Sequence, residues 1–245
     1  MEITFHGIDS LTHNFFEPTP AKKFLPEWFQ ELGMHVEDST GHPTVKWCIP
    51  VTDMITAGYI IRNTYEIELF KTREGTTMDH PHTDVPMRLA WDCATGMEPG
   101  TPQHVGMHGF AQCPHQPTTE DTEYFKILNH WVIRTPPGYS CLIMQPHYFF
   151  EKRYTMMPAI VDTDKHDLPI NFTGHLNVFD EKVTIKPGDP LVQVIPFKRD
   201  AWTMNIEKGP QKNSLMALFI NKQRGVRHKA LRLYKNLFHT KKKFD

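Results

Sequence analysis

The chain has few of the features that mark secreted, disulfide-stabilised or membrane-spanning proteins. Its 245 residues contain four widely scattered cysteines, with no pair at metal-ligand spacing. In a chain of this length, such cysteine usage is typical of reduced thiols in a cytoplasm-like compartment. No apolar run approaches the length of a membrane span, and the N-terminus lacks a basic segment followed by an apolar one. We therefore expect a cytoplasmic location and no membrane partner.

The chain also has little net charge and few glycines. The formal net charge of -1 gives no overall attraction to nucleic acid or to a membrane. Twenty prolines stand against fourteen glycines, which favours strands and ordered loops over long helices. With 39% hydrophobic and 22% charged residues, the composition is ordinary for a globular protein long enough to bury a core.

What the sequence does contain is a series of short β-like runs across residues 131–197. Each run is β-branched or aromatic and is bounded by proline, glycine or aspartate, which is the pattern of strands between tight turns. Residues 136–139 (PPGY) and 186–189 (KPGD) each preset a turn, because proline fixes φ and glycine adopts positive φ. This region is predicted to be a compact all-β unit.

The rest of the chain is predicted to hold shorter elements around a long irregular connection. Residues 72–116 lose periodicity and are rich in glycine, proline, histidine and threonine, which in a compact domain usually marks a functional or covering loop. The other predicted elements are an edge strand at 1–5, a short helix broken near Pro26 at 20–32, a strand at 44–50, a helical turn begun by Asp53 and ended by Gly58, a long strand at 59–70, and a C-terminal helix within 214–238.

Three segments of the β region resemble the dUTPase and dCTP-deaminase superfamily. They are residues 133–139 (IRTPPGY), 159–164 (AIVDTD) and 185–195 (IKPGDPLVQVI), in the order and with a spacing similar to that of the family's motifs. The resemblance implies a mostly β protein with a β-clip (distorted jelly-roll) core, short N-terminal helices and a basic C-terminal helix. The whole sequence also resembles a family found in bacteria and marine phages, which implies a host cytoplasm or a virion as the location.

The resemblance further implies a ligand site and an assembly state. Asp162 matches the family's aspartate that positions or activates the attacking water and contacts the sugar, a role suited to a carboxylate ionised near neutral pH. The family assembles as a homotrimer, which would place sites at subunit boundaries near Asp162 and Gln193, with Mg²⁺ bound together with the nucleotide. The other residues that the resemblance implicates in ligand binding are Asp164, Lys165, Gly188, Gln193 and His147.

The sequence departs from the family's pattern where the triphosphate is bound. Residues 145–148 (QPHY) replace the arginine–serine motif and lack its guanidinium fork and hydroxyl. Lys165 replaces a tyrosine that packs against deoxyribose, and Gly174 stands where the deaminases carry a glutamate base. The predicted function is therefore a divergent dUTPase-like nucleotide-binding protein, or a nucleotide phosphohydrolase with a degraded phosphate motif.

One alternative is a non-catalytic structural or interaction protein, encoded by a phage, that retains the fold. The degraded phosphate motif and the long loop both favour it. In this interpretation Asp162 and Asp164 are turn residues whose carboxylates bind nearby backbone amides. Gly188 is then only a turn residue, and Gln193 is a buried amide.

A second alternative is an Fe(II)/2-oxoglutarate-type oxygenase. His82 and Asp84 form the H-x-D pair that such enzymes use as two of three Fe²⁺ ligands, and His147 or His175 would supply the third. No arginine is clearly placed for the co-substrate carboxylate. A further group of possible zinc ligands fits no closed site that we recognise, and it consists of His104, His108, Cys113 and His115.

The chain is predicted to comprise three portions: an N-terminal β-rich portion at 1–120 that includes the long loop, the dUTPase-like core at 121–200, and a basic helical tail at 201–245. Between residues 222 and 243 there are nine lysines or arginines and no acid, interleaved with apolar residues. Such a helix docks its apolar face and leaves its cations solvated, where they could contact a nucleotide, nucleic acid or an acidic partner chain.

Overall fold

A computed structural model describes residues 1–8, 16–38, 40–64, 66–72, 75–79, 105–108, 124–208, 234–235 and 239–245. The described strands are β1 (Thr4–Gly7), β2 (Thr19–Pro20), β3 (Tyr59–Arg62), β4 (Ile67–Thr72), β5 (Gly75–Asp79), β6 (Val105–His108), β7 (Tyr124–Ile127), β8 (Trp131–Arg134), β9 (Tyr139–Met144), β10 (Tyr154–Met156), β11 (Ala159–Val161), β12 (Phe172–Leu176), β13 (Lys182–Ile185) and β14 (Pro190–Lys198). The described helices are α1 (Glu27–Glu31) and α2 (Ile49–Thr56), with 3₁₀ turns at Ala21–Lys23, Val45–Trp47 and His147–Phe149.

The strands form four sheets. The largest has the order β11-β9-β14-β3-β2, and the second has the order β10-β12-β7-β6. A three-stranded sheet, β13-β4-β5, and the pair β1-β8 complete the set among the described residues. The predicted mostly β class is confirmed, and this architecture is consistent with a dUTPase-like β-clip.

Both turns predicted from the sequence lie where proline and glycine place them. Gly138 has φ 85°, and the Tyr139 backbone N–H donates to the Pro136 carbonyl at 3.2 Å, which joins β8 to β9. Gly188 has φ 91° and joins β13 to β14. These positive φ values lie in a region that glycine enters without steric cost. Each turn carries the chain into the five-stranded sheet, the Gly138 turn from the β1-β8 pair and the Gly188 turn from the β13-β4-β5 sheet.

The core follows from the alternation of side chains along the strands. Ile67 and Leu69 of β4 are fully buried against Val183 and Ile185 of β13, while the residues between them are more exposed. Gly174 of β12 is needed for close packing, since a Cβ there would lie 2.6 Å from the Phe125 ring.

The chain divides into two compact units, and their boundaries differ from the three predicted portions. One unit contains residues 1–19 and 58–199, and the other contains residues 20–57 and 200–245. The predicted N-terminal portion is split because its strands complete the sheets of the predicted core: β1 pairs with β8, β3 with β14, and β4 with β13. In the second unit, the carboxylate of Asp53 accepts hydrogen bonds from Lys242 Nζ and His239 Nε2.

Several of the predicted elements require correction. Residues 44–50 are not a strand but a 3₁₀ turn followed by the start of α2, because Pro50 lies in the first helical turn, where no backbone N–H is needed. Asp53 therefore lies inside α2 rather than at its cap. The long strand predicted at 59–70 is two strands, β3 and β4, separated around Asn63, whose side chain donates to the Ile185 carbonyl.

The irregular connection predicted at 72–116 also requires correction, because it contains strands β5 and β6, which pair with β4 and β7. The remaining predicted elements are confirmed or lie outside the described residues. The helix predicted at 20–32 is broken near Pro26 into a 3₁₀ turn and α1, and the predicted edge strand appears as β1. Of the predicted C-terminal helix, only Tyr234 and Lys235 are described, both as helical. No helix among the described residues has the length and apolar character needed to cross a membrane.

Candidate functional site

Asp162 follows the last residue of β11 and lies beside the start of β9. Val161 pairs with Cys141, which brings Asp162 next to Ser140, and the Ser140 hydroxyl donates to Asp162 Oδ1 at 2.7 Å. Arg199 reaches the same point from the end of β14, where Lys198 pairs with Tyr139. Its Nη1 lies 3.1 Å from Asp162 Oδ1. Three strand ends thus meet at one carboxylate.

Asp164, two residues further on, holds the turns of this region together. Its Oδ2 accepts the backbone N–H of Gly138 at 2.8 Å, and its Oδ1 accepts Arg199 Nη1 at 2.8 Å. Arg199 Nη2 also donates to Oδ2, which makes the ion pair bidentate. Arg199 in turn donates its backbone N–H to the Gly138 carbonyl at 2.8 Å. Asp164 is therefore a tie between the Gly138 turn and the end of β14.

The two carboxylates are both ionised but differ in accessibility. The hydroxyl of Ser140, followed by the charge of Arg199, lowers the pKa of Asp162 below its ordinary value. Hydrogen bonds from Arg199 and from the Gly138 backbone lower the pKa of Asp164 to about 2. The Asp162 side chain is 54% exposed and that of Asp164 only 5%. Asp162 can therefore contact a ligand, whereas the carboxylate of Asp164 is already bound to Gly138 and Arg199.

Of the remaining predicted ligand-binding residues, Lys165 lies beside Asp162, whereas Gly188, Gln193 and His147 do not. Lys165 is exposed, and its backbone N–H donates to the Asp162 carbonyl at 2.9 Å. Gly188 donates its N–H to the Asn63 carbonyl at 2.8 Å, and Gln193 is a buried side chain of β14. The positions of Gly188 and Gln193 agree with the alternative that treats them as a turn residue and a buried amide.

His147 and Gln193 lie toward the opposite end of β9 from Asp162. Gln193 pairs with Met144, the last residue of β9, and His147 begins the 3₁₀ turn three residues later. Ser140 and Met144 are separated by about 13 Å along the strand at a rise of about 3.3 Å per residue. Within one copy of the chain, Asp162 and the end of β9 that carries His147 and Gln193 are therefore too far apart to contact the same reacting group.

Two cavities of the first unit flank Pro158. One of about 420 Å³ is lined by His147 and by further residues that include Phe150 and Lys152. The other, of about 340 Å³, is mainly apolar, with Ile143, Ile170 and Phe172 in its wall. Both volumes lie in the range of small-molecule sites.

Sequence reasoning missed three residues of these sites, namely Ser140, Arg199 and Phe150. Ser140 and Arg199 each lie just beyond a recognised motif, Ser140 after the PPGY turn and Arg199 after the last strand. A search of the residues bordering each motif for hydrogen-bonding side chains would have found both. Phe150 carries no such signal, because its left-handed backbone is visible only in the structure.

The metal hypotheses fall largely outside the described residues. His82 and Asp84, as well as His104, Cys113 and His115, are not among the residues that the structure describes. His108 is described and lines the mainly apolar cavity. Within the described ranges, no group of three or more histidine, cysteine, aspartate or glutamate side chains is placed to hold a metal ion.

No protein-family model and no curated protein matches the chain. Among solved structures it is similar to the dUTPase of Staphylococcus bacteriophage 80alpha, with 10% identity, a TM-score of 0.38, and coverage of 87% of this chain and 99% of that one. It is also similar to a mutant dUTPase from phage phi11 of S. aureus, which coordinates a structural Mg(II) ion, with 9% identity, a TM-score of 0.37, and coverage of 86% and 99%. A third similarity is to the EIAV dUTPase, with 12% identity, a TM-score of 0.29, and coverage of 46% and 80%. At these TM-scores the similarities carry no conclusion about activity, ligand or assembly for this chain.

Proposed function

We propose that the chain is a dUTPase-like nucleotide-binding protein in which Asp162 contacts the ligand. The observation that carries this proposal is the state of the Asp162 carboxylate, which is ionised, half exposed and oriented by Ser140 and Arg199. A carboxylate held in this way is preorganised to accept a hydrogen bond from a sugar hydroxyl or from a water molecule.

Under this proposal, hydrolysis would use Asp162 to orient the attacking water rather than to deprotonate it. Ser140 and Arg199 both contact Oδ1, so Oδ2 is the oxygen that we assign to the water. A carboxylate whose pKa lies below its ordinary value is a weak base at neutral pH. The attacking water would therefore lose its proton late, to a phosphate oxygen of the nucleotide, as its bond to phosphorus forms and the bond to the leaving phosphate breaks.

Mg²⁺ fits this proposal as a companion of the nucleotide rather than as a resident ion. The negative charge of Asp162 is already balanced by Arg199 at 3.1 Å. Mg²⁺ is commonly bound by substrate phosphates plus one or two carboxylates. We propose that the nucleotide phosphates would carry the ion, and that Asp162 Oδ2 is left to the attacking water.

We further propose that the complete site forms between copies of the chain in a homotrimer. Asp162 and the end of β9 that carries Gln193 and His147 are too far apart to share a ligand's reactive centre within one copy, so a neighbouring copy would supply the second end. The phosphate contacts must also differ from an arginine–serine pair, because His147 stands in that segment. Residues 222–243 remain a predicted contact for phosphate or an acidic partner.

The proposal is tested by a thermal-shift screen against pyrimidine and purine nucleotides with and without Mg²⁺. A ligand that binds the native state raises Tm. We expect a pyrimidine nucleotide to raise the Tm of the wild type and to lose that effect in Asp162→Asn. Because Asp162 is half exposed, the unliganded variant should melt close to the wild type. An undiminished shift in Asp162→Asn, or phosphate release that survives this substitution, would overturn the assignment.

A structural or interaction protein remains a second candidate, and a segment of the second unit favours it. Residues 200–208 have no regular secondary structure, and Trp202, Met204 and Ile206 are 89%, 87% and 68% exposed. Alternating exposed apolar side chains are typical of a segment that docks on a partner. If assembly is the function, replacing all three with serine should convert the assembled protein to monomers in light scattering, while nucleotides leave the wild-type Tm unchanged.

A further inference from the structure

The cavity beside Phe150 contains a strained residue that the nucleotide proposal does not use. The 3₁₀ turn His147–Phe149 ends at Phe150, whose backbone is left-handed with φ 55° and ψ 32°. Non-glycine residues seldom adopt this conformation, and for a bulky side chain it is a true outlier. Strained residues of this kind concentrate at ligand-binding sites, where the surrounding structure holds them in place.

The left-handed backbone of Phe150 places its aromatic ring in the lining of the cavity. The Phe150 side chain lines the cavity and is 52% exposed. The His147 ring lies edge-on to it, with centroids 6.4 Å apart and an interplanar angle of 66°. Met144, Met156 and Pro158 supply an apolar wall. Thioether and proline surfaces against an aromatic ring suit a flat, apolar guest.

The charged residues around the cavity favour a ligand with a negative charge. Glu151 lines the cavity, but its carboxylate accepts three hydrogen bonds from Arg153: from the backbone N–H at 2.8 Å, from Nε at 2.9 Å and from Nη2 at 2.6 Å. Burial alone would raise the pKa of Glu151, and these bonds outweigh it, so the pKa is lowered and the carboxylate stays ionised and compensated. Lys152 also lines the cavity and adds a cation to its rim.

We propose that this cavity binds a planar aromatic ring that carries an acidic group, with the ring against Phe150 and the acid near Lys152. The volume of about 420 Å³ admits a ring of one or two cycles. All of the lining residues belong to one chain, so the site depends neither on the proposed homotrimer nor on Asp162, although it shares His147 with the proposed nucleotide site.

Phe150→Gly separates ligand binding from folding. Glycine adopts φ 55° without strain, which offsets part of the ring contacts that are lost, so the variant should fold and melt near the wild-type Tm. Asp180→Gly is the matched control, because Asp180 has φ 54° and does not line the cavity. Lys152→Gln tests the acid contact without removing the ring.

The probes are benzoate, benzamide and cyclohexanecarboxylate, whose binding is followed by saturation-transfer NMR and titration. Benzamide lacks the charge and cyclohexanecarboxylate lacks the flat ring. We expect benzoate to bind the wild type at least about tenfold more tightly than either analogue, which is about 1.4 kcal/mol. Phe150→Gly should remove the preference over cyclohexanecarboxylate, and Lys152→Gln the preference over benzamide. Asp180→Gly and Asp162→Asn should keep both preferences.

Equal binding of all three probes to the wild type would overturn the proposal, as would preferences that survive both cavity substitutions. Because Asp162→Asn removes only the proposed nucleotide site, nucleotide binding that fails while benzoate binding persists would reject the proposed function and leave this site intact. Nucleotide binding that persists while the benzoate preferences are absent would reject this site alone.

Discussion

At the scale of single residues, Asp162 and Asp164 show how two neighbouring carboxylates acquire different roles. Both follow β11, and both contact Arg199. Asp164 also accepts the Gly138 backbone N–H and is nearly inaccessible, whereas more than half of the Asp162 side chain reaches solvent. The fold depends on Asp164, and the proposed function depends on Asp162.

We predict that Asp164→Asn lowers Tm by several degrees at neutral pH and that this difference shrinks in acid. The folded pKa of Asp164, about 2, lies below its ordinary 3.8. Its ionised form therefore stabilises the native state fully above pH 3.8, and that stabilisation is lost as the pH falls toward 2. Thermal melts of both proteins from neutral pH down to about pH 2.5 provide the measurement.

Asp167→Asn is the control for this prediction. Asp167 pairs with Arg134 at 3.2 Å, but both side chains are well exposed, so the pair should contribute little at any pH. An Asp164→Asn variant that behaves like this control would show that Asp164 does not tie the Gly138 turn to the end of β14.

The sequence singled out Asp162 and Asp164 but did not predict that one would be exposed and the other enclosed. The AIVDTD motif located both aspartates, and the two interpretations, ligand contact and turn residue, were equally compatible with it. The surroundings of the two carboxylates depend on Ser140 and Arg199, which reach the site from strands distant in sequence. Phe150 could not be found from sequence, because a left-handed phenylalanine results from the packing of its surroundings.

At the scale of elements, turns set by proline and glycine were the most predictable features. The PPGY and KPGD segments carry their conformational preference locally, and both form the expected turns. Residues 44–50 were mispredicted because their β-branched and aromatic residues suggest a strand, whereas Pro50 opens a helix. The strand predicted to run to residue 70 is interrupted after β3 because the Asn63 side chain turns inward. Its amide donates to the carbonyls of Ile185 and Lys186, at the start of the KPGD turn.

We predict that Gly58→Ala destabilises the protein far more than Gly138→Ala. Both glycines have positive φ, so each substitution costs about 1–2 kcal/mol for the left-handed backbone. A Cβ at Gly58 would also lie 1.9 Å from the Val194 carbonyl oxygen, whereas one at Gly138 meets nothing within 4 Å. Denaturant unfolding of the two variants measures the difference, and equal losses would contradict the close approach of Gly58 to β14.

We also predict that Asn63→Ala destabilises the first unit by about 2 kcal/mol. The buried Asn63 amide donates to the carbonyls of Ile185 and Lys186, and its loss leaves acceptors without their partner. Asn205→Ala, at an exposed position, is the control and should change the free energy of unfolding by less than about 0.5 kcal/mol. Similar values for both variants in denaturant titrations would refute the role of Asn63 as the brace of the KPGD turn.

At the scale of the whole molecule, the strand-rich class follows from composition and turn spacing, but the division of the chain does not. Strands β1, β3 and β4 precede the recognised motifs and still complete their sheets. Such pairings join segments that are far apart along the chain, and no local pattern encodes them. The assembly state is likewise absent from local sequence and enters as a proposal.

The proposed homotrimer makes a testable prediction about mixed assemblies. If Asp162 of one copy and His147 of another form each site, then Asp162→Asn and His147→Ala are each defective alone. Random mixing in equal amounts should restore about a quarter of the sites, since each site draws on two copies. Titration of nucleotide into co-refolded variants measures this fraction. No restoration in confirmed mixed trimers would place each complete site within one copy.

The central claim, that Asp162 lies in a nucleotide-binding site, is tested most directly by calorimetric titration. The ligand is a non-hydrolysable pyrimidine deoxynucleoside triphosphate analogue, titrated with Mg²⁺ into the wild type and Asp162→Asn in parallel. We predict saturable binding with one site per chain in the wild type and a Kd raised at least about tenfold in the variant, a loss of about 1.4 kcal/mol. The same Kd for both proteins, or no binding to the wild type, would contradict the claim.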